Sequence, residues 1–248
     1  MKTELELLEK RIYDDFVKAF ATYELLKDDD FILVGLSGGK DSLCLLEMLA
    51  KRAKIHHPRF KVEAIHVRME NIRYESSTTY LEHFCQSLDV PLHVVTTSFD
   101  VSDTSLNHRK QKQPCFLCSW NRRKQMFILA QELGCNKIAL GHHQDDLLHT
   151  ALMNLTFQGR FDTMSARLQM KKMALQIIRP LCLVHEADIK RYAELRGYEK
   201  QTKLCPYEHD SFRTGIKTLY NTMEQLNPEA RYSLWNALVR DGKLVEDY

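Results

Sequence analysis

The residues with the clearest chemical potential form a short glycine-containing loop near the start of the chain. A continuous apolar run at 31–36, typical of a buried strand, precedes the loop, and a helical pattern at 43–53 follows it. Two glycines allow a tight turn close to an anion, and the free N–H groups of a helix start favour phosphate. The alternative is an ordinary glycine-rich turn, and the spacing is not that of a Walker A loop. The loop consists of Ser37, Gly38, Gly39, Lys40, Asp41 and Ser42.

A second polar motif directly follows another apolar stretch, the predicted strand at 137–140. Its glycine, Gly141, would allow a close approach to a nucleotide. The paired carboxylates of Asp145 and Asp146 could hold Mg²⁺, which prefers oxygen ligands. They could equally cap the helix predicted at 145–157, and both roles can hold together. The motif reads Leu140, Gly141, His142, His143, Gln144, Asp145 and Asp146.

Three of the seven cysteines stand in positions where a thiol could serve as a ligand. Cys115 and Cys118 form a C-x-x-C pair, and Cys205 lies in a loop-like context. Taken alone, the pair could be half of a zinc site, a redox pair or a chance spacing. The other cysteines fall in or beside predicted helices and strands, where we expect buried small residues. They are Cys44, Cys85, Cys135 and Cys182.

The elements that must position these motifs alternate between strand and helix. Five strands are predicted, and they imply an α/β fold with a doubly wound, parallel, five-stranded sheet. Ligands of such sheets bind at the carboxyl ends of the strands, so both polar motifs are expected on one rim. An amphipathic helix precedes the sheet and two helices follow it, split at Asn227–Pro228. We divide the chain into an N-terminal helix (1–28), a central domain (29–200) and C-terminal loop and helices (201–248). The strands are predicted at 31–36, 62–67, 92–97, 137–140 and 175–178.

The amino-acid composition limits the kinds of protein that this chain can be. The chain has 248 residues, of which 44% are hydrophobic, enough for one substantial core. No apolar run approaches the roughly 20 residues that span a bilayer, and the N-terminus is unlike a signal peptide, so we expect a cytoplasmic protein without membrane contact. An odd number of cysteines then argues against a disulfide scaffold.

The net charge of +2 neither requires nor excludes binding of nucleic acid. Basic groups at 108–112, 122–124 and 171–172 could contact phosphates or form a solvated face.

The two rim motifs carry a specific resemblance. Residues 37–42 are similar to the SGGxDS motif of PP-loop ATP pyrophosphatases, and residues 140–146 resemble the LGHHxDD segment of tRNA-modifying members. With the C-x-x-C pair, the arginine-rich helix after it and residues 178–181, the chain resembles the tRNA 2-thiocytidine synthetase (TtcA-type) family from 31 to about 206. That family belongs to a wider group with lysidine and thiouridine synthetases.

The resemblance implies ATP, Mg²⁺ and a 4Fe-4S cluster as cofactors. Cys115, Cys118 and Cys205 would be the cluster ligands, which leaves one iron open for sulfur. Members of the family commonly carry a second C-x-x-C where this chain has only Cys205, so sulfur relay through an extra cysteine is not expected here. Arg122, four residues after Cys118, matches a catalytic basic residue of related enzymes, and His66 lies where the superfamily holds adenine. The other nucleotide contacts implied are residues 37–42, Gly141, His142 and Asp145.

The expected reaction has two steps. A tRNA pyrimidine carbonyl, most simply that of a cytidine in the anticodon loop, attacks ATP, and pyrophosphate leaves into the loop. A hydrosulfide on the cluster then displaces AMP. Lys40, Arg122 and Asp146 are the expected charge-stabilising residues. The expected partners are tRNA, a sulfur donor system with a cysteine desulfurase, and a second subunit of a homodimer. The alternatives are a lysidine-type or amidating ligase without a cluster, and a non-catalytic nucleotide-binding module with structural zinc.

Overall fold

The computed structural model describes residues 2–70, 73–74, 78–99, 114–199, 203–204 and 212–247. These ranges contain eight helices and nine strands. The helices are α1 (Glu4–Tyr23), α2 (Lys40–Ala53), α3 (Thr79–Ser87), α4 (Pro114–Leu133), α5 (Gln144–Gln158), α6 (Glu186–Arg196), α7 (Phe212–Leu226) and α8 (Ala230–Arg240). The strands are β1 (Asp30–Gly35), β2 (Phe60–Met69), β3 (Arg73–Tyr74), β4 (Leu92–Thr97), β5 (Lys137–Ala139), β6 (Arg167–Gln169), β7 (Gln176–Ile178), β8 (Lys203–Leu204) and β9 (Val245–Glu246).

The main sheet has the strand order β4-β2-β1-β5-β7-β6-β9. Its first five strands all run parallel to one another and correspond to the five predicted strands. The prediction of five strands was incomplete, because β6 pairs antiparallel to β7 and β9 pairs with β6. These added strands have three and two residues, too few to show a periodic pattern. Beyond the main sheet, β3 and β8 form a small antiparallel pair.

Helices cover both faces of the sheet, as predicted for a doubly wound fold. Alternate residues of β1 belong to different cores: Leu33 packs on the α4 side, whereas Ile32 and Val34 pack against the other helices. The strand order reverses between β1 and β5. In open α/β sheets that reversal opens a crevice at the carboxyl ends of the strands, and this is where ligands bind. The two polar motifs follow these two strands.

The terminal helices share the larger of the two cores. Ile12 and Phe16 of α1 are fully buried there, together with Tyr220 of α7 and Leu238 of α8. The predicted pair of C-terminal helices separated near Asn227 is confirmed. The division at 28 and 200 stays a prediction.

Several predicted boundaries were wrong. Strand β2 begins at Phe60, two residues before its predicted start. Strand β2 continues to Met69, two residues past its predicted end. Helix α4 begins at Pro114 rather than Cys118, so both members of the C-x-x-C pair lie in the helix. Proline is favoured at the first helical position because it has no N–H to lose there, and that signal was present in the sequence.

Over the described ranges, no helix combines the length and the apolar character needed to cross a membrane.

A buried ion pair lies at the end of the sheet opposite the polar motifs. Lys137 and Asp30 begin β5 and β1, and their charged atoms lie 3.2 Å apart with side chains 3% and 4% exposed. The ammonium also donates to the Leu25 carbonyl at 3.0 Å and to Gln176 at 2.8 Å. Burial lowers the pKa of Lys137, and the charge of Asp30 partly restores it. The pair fixes the first register positions of two central strands.

Replacing Asp30 with alanine tests this anchor. Asp30→Ala is expected to lower the free energy of unfolding by about 3–5 kcal/mol, because it leaves a buried ammonium without its counter-ion. Urea unfolding measures the change. The control Asp14→Ala removes the exposed partner of Lys10 and should cost less than about 1 kcal/mol. Equal losses in the two variants would contradict the anchoring role of Asp30.

Candidate active site

The phosphate-type loop between β1 and α2 is held by its own serines. Ser37 and Ser42 hydroxyl oxygens lie 3.1 Å apart, and the backbone N–H of Ser37 donates to Ser42 Oγ at 3.2 Å. Gly38 has φ of +82°, a left-handed conformation that glycine adopts without strain. The N–H of Gly39 donates to Ser37 Oγ at 3.3 Å. The loop is therefore a closed turn whose geometry depends on both serines and on Gly38.

Helix α2 begins at this loop without a side-chain cap. Gly39 is its N-cap residue and makes no capping hydrogen bond. The N–H groups of the first turn and the positive end of the helix dipole are thus available to an anion. This is the arrangement expected for binding a phosphate or pyrophosphate.

Lys40 carries a positive charge beside the loop. Its ammonium contacts Asp41 at 2.8 Å and Glu186, the first residue of α6, at 3.4 Å. Burial alone would lower the pKa of Lys40, but the hydrogen bond and charge of Asp41 and the charge of Glu186 outweigh it and raise the pKa. Lys40 is therefore fully protonated at neutral pH, and it shares its charge between two carboxylates.

The second polar motif packs directly on the first. A methyl group at Gly141 would lie 3.0 Å from the carbonyl carbon and oxygen of Asp41 and 3.1 Å from the nitrogen of Ser42. The sequence led us to expect that this glycine admits a nucleotide. That role stays a prediction, and the structure shows in addition a close approach between the backbones of the two rim loops.

His143 links the carboxylates of the two loops, and sequence reasoning missed this role. It is the N-cap residue of α5, and its Nδ1 accepts the N–H of Asp146 in a capping box. The ring is therefore protonated at Nε2, which lies 3.4 Å from an Asp146 oxygen and 3.8 Å from an Asp41 oxygen. The spacing of three residues between His143 and Asp146, ahead of a helical pattern, was the signal that could have revealed the cap.

A cavity of about 270 Å³ opens between the two loops and α4. Eight of the predicted site residues line it, from four different elements. Lys40, Gly38, Gly39 and Asp145 do not line it. The predicted residues in the walls are Ser37, Asp41, Ser42, His66, Arg122, Gly141, His142 and Asp146, and the others are Gly35, Leu36, Ile65, Val67, Met126 and Leu140.

The two histidines of the cavity have different surroundings. His66, on β2, is buried, and its Nδ1 lies 2.7 Å from the carbonyl oxygen of Leu36. His142 is held neutral, because burial and then the charge of Arg179 lower its pKa to about 3. Among the described residues, the Nδ1 of His142 has no hydrogen-bond partner. A buried polar atom that lines a cavity without a partner is available to a ligand.

Asp145 differs from its neighbour, because both its carboxylate oxygens have protein partners. Arg231 of α8 donates to one oxygen at 2.6 Å, and the N–H of Glu186 donates to the other at 2.8 Å. Burial raises the pKa of Asp145, but the hydrogen bonds from Arg231 and from Glu186 outweigh it and hold the pKa at about 2. Asp145 thus ties α6 and α8 to the start of α5, while Asp146 faces the cavity.

The cysteines separate into two groups. Cys115 is exposed and Cys118 is half-buried, one turn before Arg122 on α4. The remaining described cysteines (Cys44, Cys85, Cys135 and Cys182) are buried, as predicted, and burial raises the pKa of each thiol, for Cys85 and Cys135 to about 11. Such thiols do not form thiolate ligands readily. Cys205 lies outside the described residues.

Of the predicted basic groups, the structure describes two. Arg122 lines the cavity, and the next two residues, Arg123 and Lys124, are exposed on the same helix. Lys171 and Lys172 are exposed in a turn between β6 and β7. The group at 108–112 lies outside the described residues.

Residues 8–202 match the PP-loop domain family, over more than half of the chain. The chain belongs to the PP-loop family. Its relatives in this family include the tRNA-cytidine(32) 2-sulfurtransferase 1 of Francisella tularensis subsp. novicida (strain U112), which is 32% identical over 239 residues, covering 96% of this chain and 88% of that protein. The tRNA-cytidine(32) 2-sulfurtransferase of Shewanella sp. (strain ANA-3) is 30% identical, and the alignment covers 95% of this chain and 76% of that protein.

The solved structure of a tRNA thiolase is similar to this chain in sequence and in fold. The U34-tRNA thiolase NcsA from Methanococcus maripaludis, with its 4Fe-4S cluster, is 26% identical and superimposes with a TM-score of 0.74. The alignment covers 95% of this chain and 79% of that one. The resemblance that the motifs predicted is confirmed.

Gly141→Ala tests the backbone contact between the rim loops. The methyl group would meet backbone atoms that cannot turn aside, so the loops must separate. We expect ATP binding to weaken at least about tenfold, or about 1.4 kcal/mol, measured by equilibrium dialysis. Gly215→Ala is the control, since a methyl group there meets open space on α7. It should leave ATP binding unchanged and stabilise the helix slightly. Unchanged ATP affinity in Gly141→Ala would contradict the proposed contact.

Proposed function

We propose that this chain is an ATP-dependent, iron–sulfur-dependent tRNA sulfurtransferase. It adenylates the carbonyl oxygen of a tRNA pyrimidine and replaces that oxygen with sulfur. The observation that carries the proposal is the convergence of three elements on one cavity. These are the uncapped loop at α2, the carboxylate-bearing start of α5, and the face of α4 one turn after the C-x-x-C pair.

ATP is proposed to lie across the two rim loops. The first-turn amides of α2, the hydroxyls of Ser37 and Ser42, and the ammonium of Lys40 bind the β- and γ-phosphates. Gly39 is the N-cap residue of that helix and has no side chain that could occupy the phosphate position. His66 belongs to the part of β2 that lines the cavity, and we assign the backbone of this strand to adenine binding. The neutral imidazole of His142 offers its Nδ1 to the substrate.

Mg²⁺ fits the carboxylates of this cavity. Asp41 and Asp146 line it with side chains 30% and 36% exposed. No three metal-binding side chains converge within the described ranges. This agrees with a magnesium ion held by one or two carboxylates together with substrate phosphates. The ion would neutralise phosphate charge during the reaction. Asp145, which we first assigned to the nucleotide, is better suited to hold the rim together through Arg231.

In the proposed first step the pyrimidine carbonyl oxygen attacks the α-phosphorus of ATP. A new oxygen–phosphorus bond forms, the α–β bridge breaks, and pyrophosphate leaves into the loop at 37–42. Lys40 and Arg122 stabilise the charge that develops. AMP is a far better leaving group than oxide. Sulfide then adds to the activated carbon, and AMP departs with the oxygen of the base.

The C-x-x-C pair fits an iron–sulfur cluster. Its two thiols stand one turn apart in the first turns of α4, and neither is fully buried, so both are accessible to a metal cluster. Cys115, Cys118 and Cys205 are the ligands we propose. A cluster held by these three cysteines would supply iron that could carry inorganic sulfur to the activated base. Arg122, one turn after Cys118, lines the cavity and would place a cation beside the proposed nucleotide site.

The substrate we favour is a cytidine of the anticodon loop, in line with the activity named for the two relatives. A loop base is already unstacked or easily unstacked, so its carbonyl can reach the cavity. We further propose a cysteine desulfurase system as the sulfur source, a homodimer as the assembly and the cytoplasm as the location.

Nucleoside analysis of cellular tRNA tests the proposal. A strain that lacks this protein is expected to lose 2-thiocytidine, detected by mass spectrometry of digested tRNA. Wild type should restore the nucleoside and Lys40→Ala should not, because the cation beside the phosphate loop is gone. Lys190→Ala, an exposed residue of α6, is the matched control and should restore it. Unchanged tRNA thiolation in the deletion strain would refute the tRNA reaction.

Metal analysis under anaerobic conditions tests the cysteine assignment. Wild type is expected to contain about four iron and four sulfide per chain. Cys115→Ser, Cys118→Ser and Cys205→Ser should each lose most of both, whereas Cys135→Ser, a buried thiol, should keep them. Stoichiometric zinc would instead indicate a structural metal site, and a metal-free active protein would indicate ligase chemistry.

A further inference from the structure

A second cleft, of about 370 Å³, adjoins the proposed ATP site between α5 and α7. Asp146 lines both spaces, so the cleft is continuous with the rim where the reaction is proposed. The charge of Arg213, at the start of α7, also contributes to lowering the pKa of His142 in the ATP cavity, after burial, Arg179 and His143. The start of α7 therefore lies near the side of the ATP cavity that His142 lines.

The α7 wall of the cleft is a polar stripe. Arg213, Thr214, Lys217 and Asn221 lie within two turns on the side that lines the cleft. Ile216 and Tyr220, on the adjacent face of the helix, are buried in the core, so packing fixes which side of α7 lines the cleft. Cationic side chains mixed with hydroxyl and amide donors are the usual contacts to nucleic-acid phosphates and sugars.

One carboxylate of the cleft, that of Glu186, is already compensated by two lysines. Glu186 contacts Lys40 through one oxygen and Lys217 through the other, at 3.4 and 2.8 Å. Burial raises the pKa of Glu186, but the hydrogen bond from Lys217 and the charges of both lysines outweigh it and lower the pKa. Arg213 makes no ion pair or hydrogen bond with any described residue. The guanidinium is thus a positive charge of the cleft that has no counter-ion among the described residues.

A polar atom on the α5 wall also lacks a partner. His149 lines the cleft, and its Nε2 is buried without a hydrogen bond among the described residues. A ribose 2′-hydroxyl, which both donates and accepts hydrogen bonds, suits such an atom whichever nitrogen carries the proton.

We propose that the cleft between α5 and α7 binds the sugar–phosphate backbone of tRNA beside the nucleotide that enters the ATP cavity. Arg213 contacts a phosphate group of the tRNA. Asn221 forms an uncharged hydrogen bond with the sugar–phosphate backbone of the tRNA. This inference rests on the proposed function and assigns the RNA contact to one surface. Contacts of this type position the substrate and carry no base preference.

Binding of an unmodified tRNA transcript at several salt concentrations tests the cleft. Arg213→Ala should weaken binding about tenfold near 100 mM salt and reduce the slope of log K against log salt by about 0.7–0.9, because one phosphate contact is lost. Asn221→Ala should weaken binding about threefold and leave the slope unchanged, since it removes no charge. Both variants should bind ATP like wild type, which also shows that they are folded.

Arg240→Ala is the matched control, an exposed arginine at the far end of α8, and it should match wild type in both measurements. Wild-type tRNA affinity and slope in Arg213→Ala would overturn the assignment of the cleft and leave the sulfurtransferase proposal intact. A changed ATP affinity with unchanged tRNA binding would also overturn it, in favour of a nucleotide site. Absence of tRNA binding by the wild-type protein would refute both proposals.

Discussion

The contact between the two rim loops is the constraint on which the site depends. The backbone of Gly141 lies against that of Asp41 and Ser42, where a methyl group would lie only 3.0–3.1 Å from backbone atoms. Because β1 and β5 are neighbours in the sheet, their carboxyl ends bring these loops together without a linking segment. The contact places Asp41 and Asp146 on one cavity, and the Nε2 of His143 lies between their carboxylates. A phosphate-binding helix start and a pair of carboxylates thus become one nucleotide site.

The C-terminal helices are coupled to that rim through buried charge. Asp145 accepts hydrogen bonds from Arg231 and from the N–H of Glu186, so one carboxylate joins the starts of α5, α6 and α8. Glu186 continues the connection to Lys40 on one side and to α7 on the other. Removing one partner from such a network is costly, because a buried charge is left uncompensated. The helices after residue 211 are therefore part of the construction of the site, which explains how α7 comes to line a cleft beside it.

Sequence reasoning recovered the parts of the molecule whose signals are local. The five parallel strands appear as apolar runs, and residues 37–42 and 140–146 each hold glycine and charge within one short segment. The distinct roles of Asp145 and Asp146 could not be predicted, because they depend on Arg231, which is 86 residues from Asp145 in the chain. The backbone contact of Gly141 could not be predicted for the same reason, since the atoms it meets belong to another loop. The short strands β6 and β9 are fixed by pairing rather than by pattern. Two local signals were present but not used, namely Pro114 at the start of α4 and the capping spacing of His143.

Transfer of oxygen from the base to AMP tests the central claim most directly. A tRNA transcript carrying ¹⁸O at the carbonyl of the target pyrimidine would be thiolated with ATP and sulfide, and the products would be analysed by mass spectrometry. Adenylation at the rim predicts one ¹⁸O in the phosphate of AMP for each sulfur incorporated, and none in pyrophosphate. Label released into water, or found in pyrophosphate or inorganic phosphate, would contradict an adenylated intermediate and with it the role assigned to the loop at 37–42.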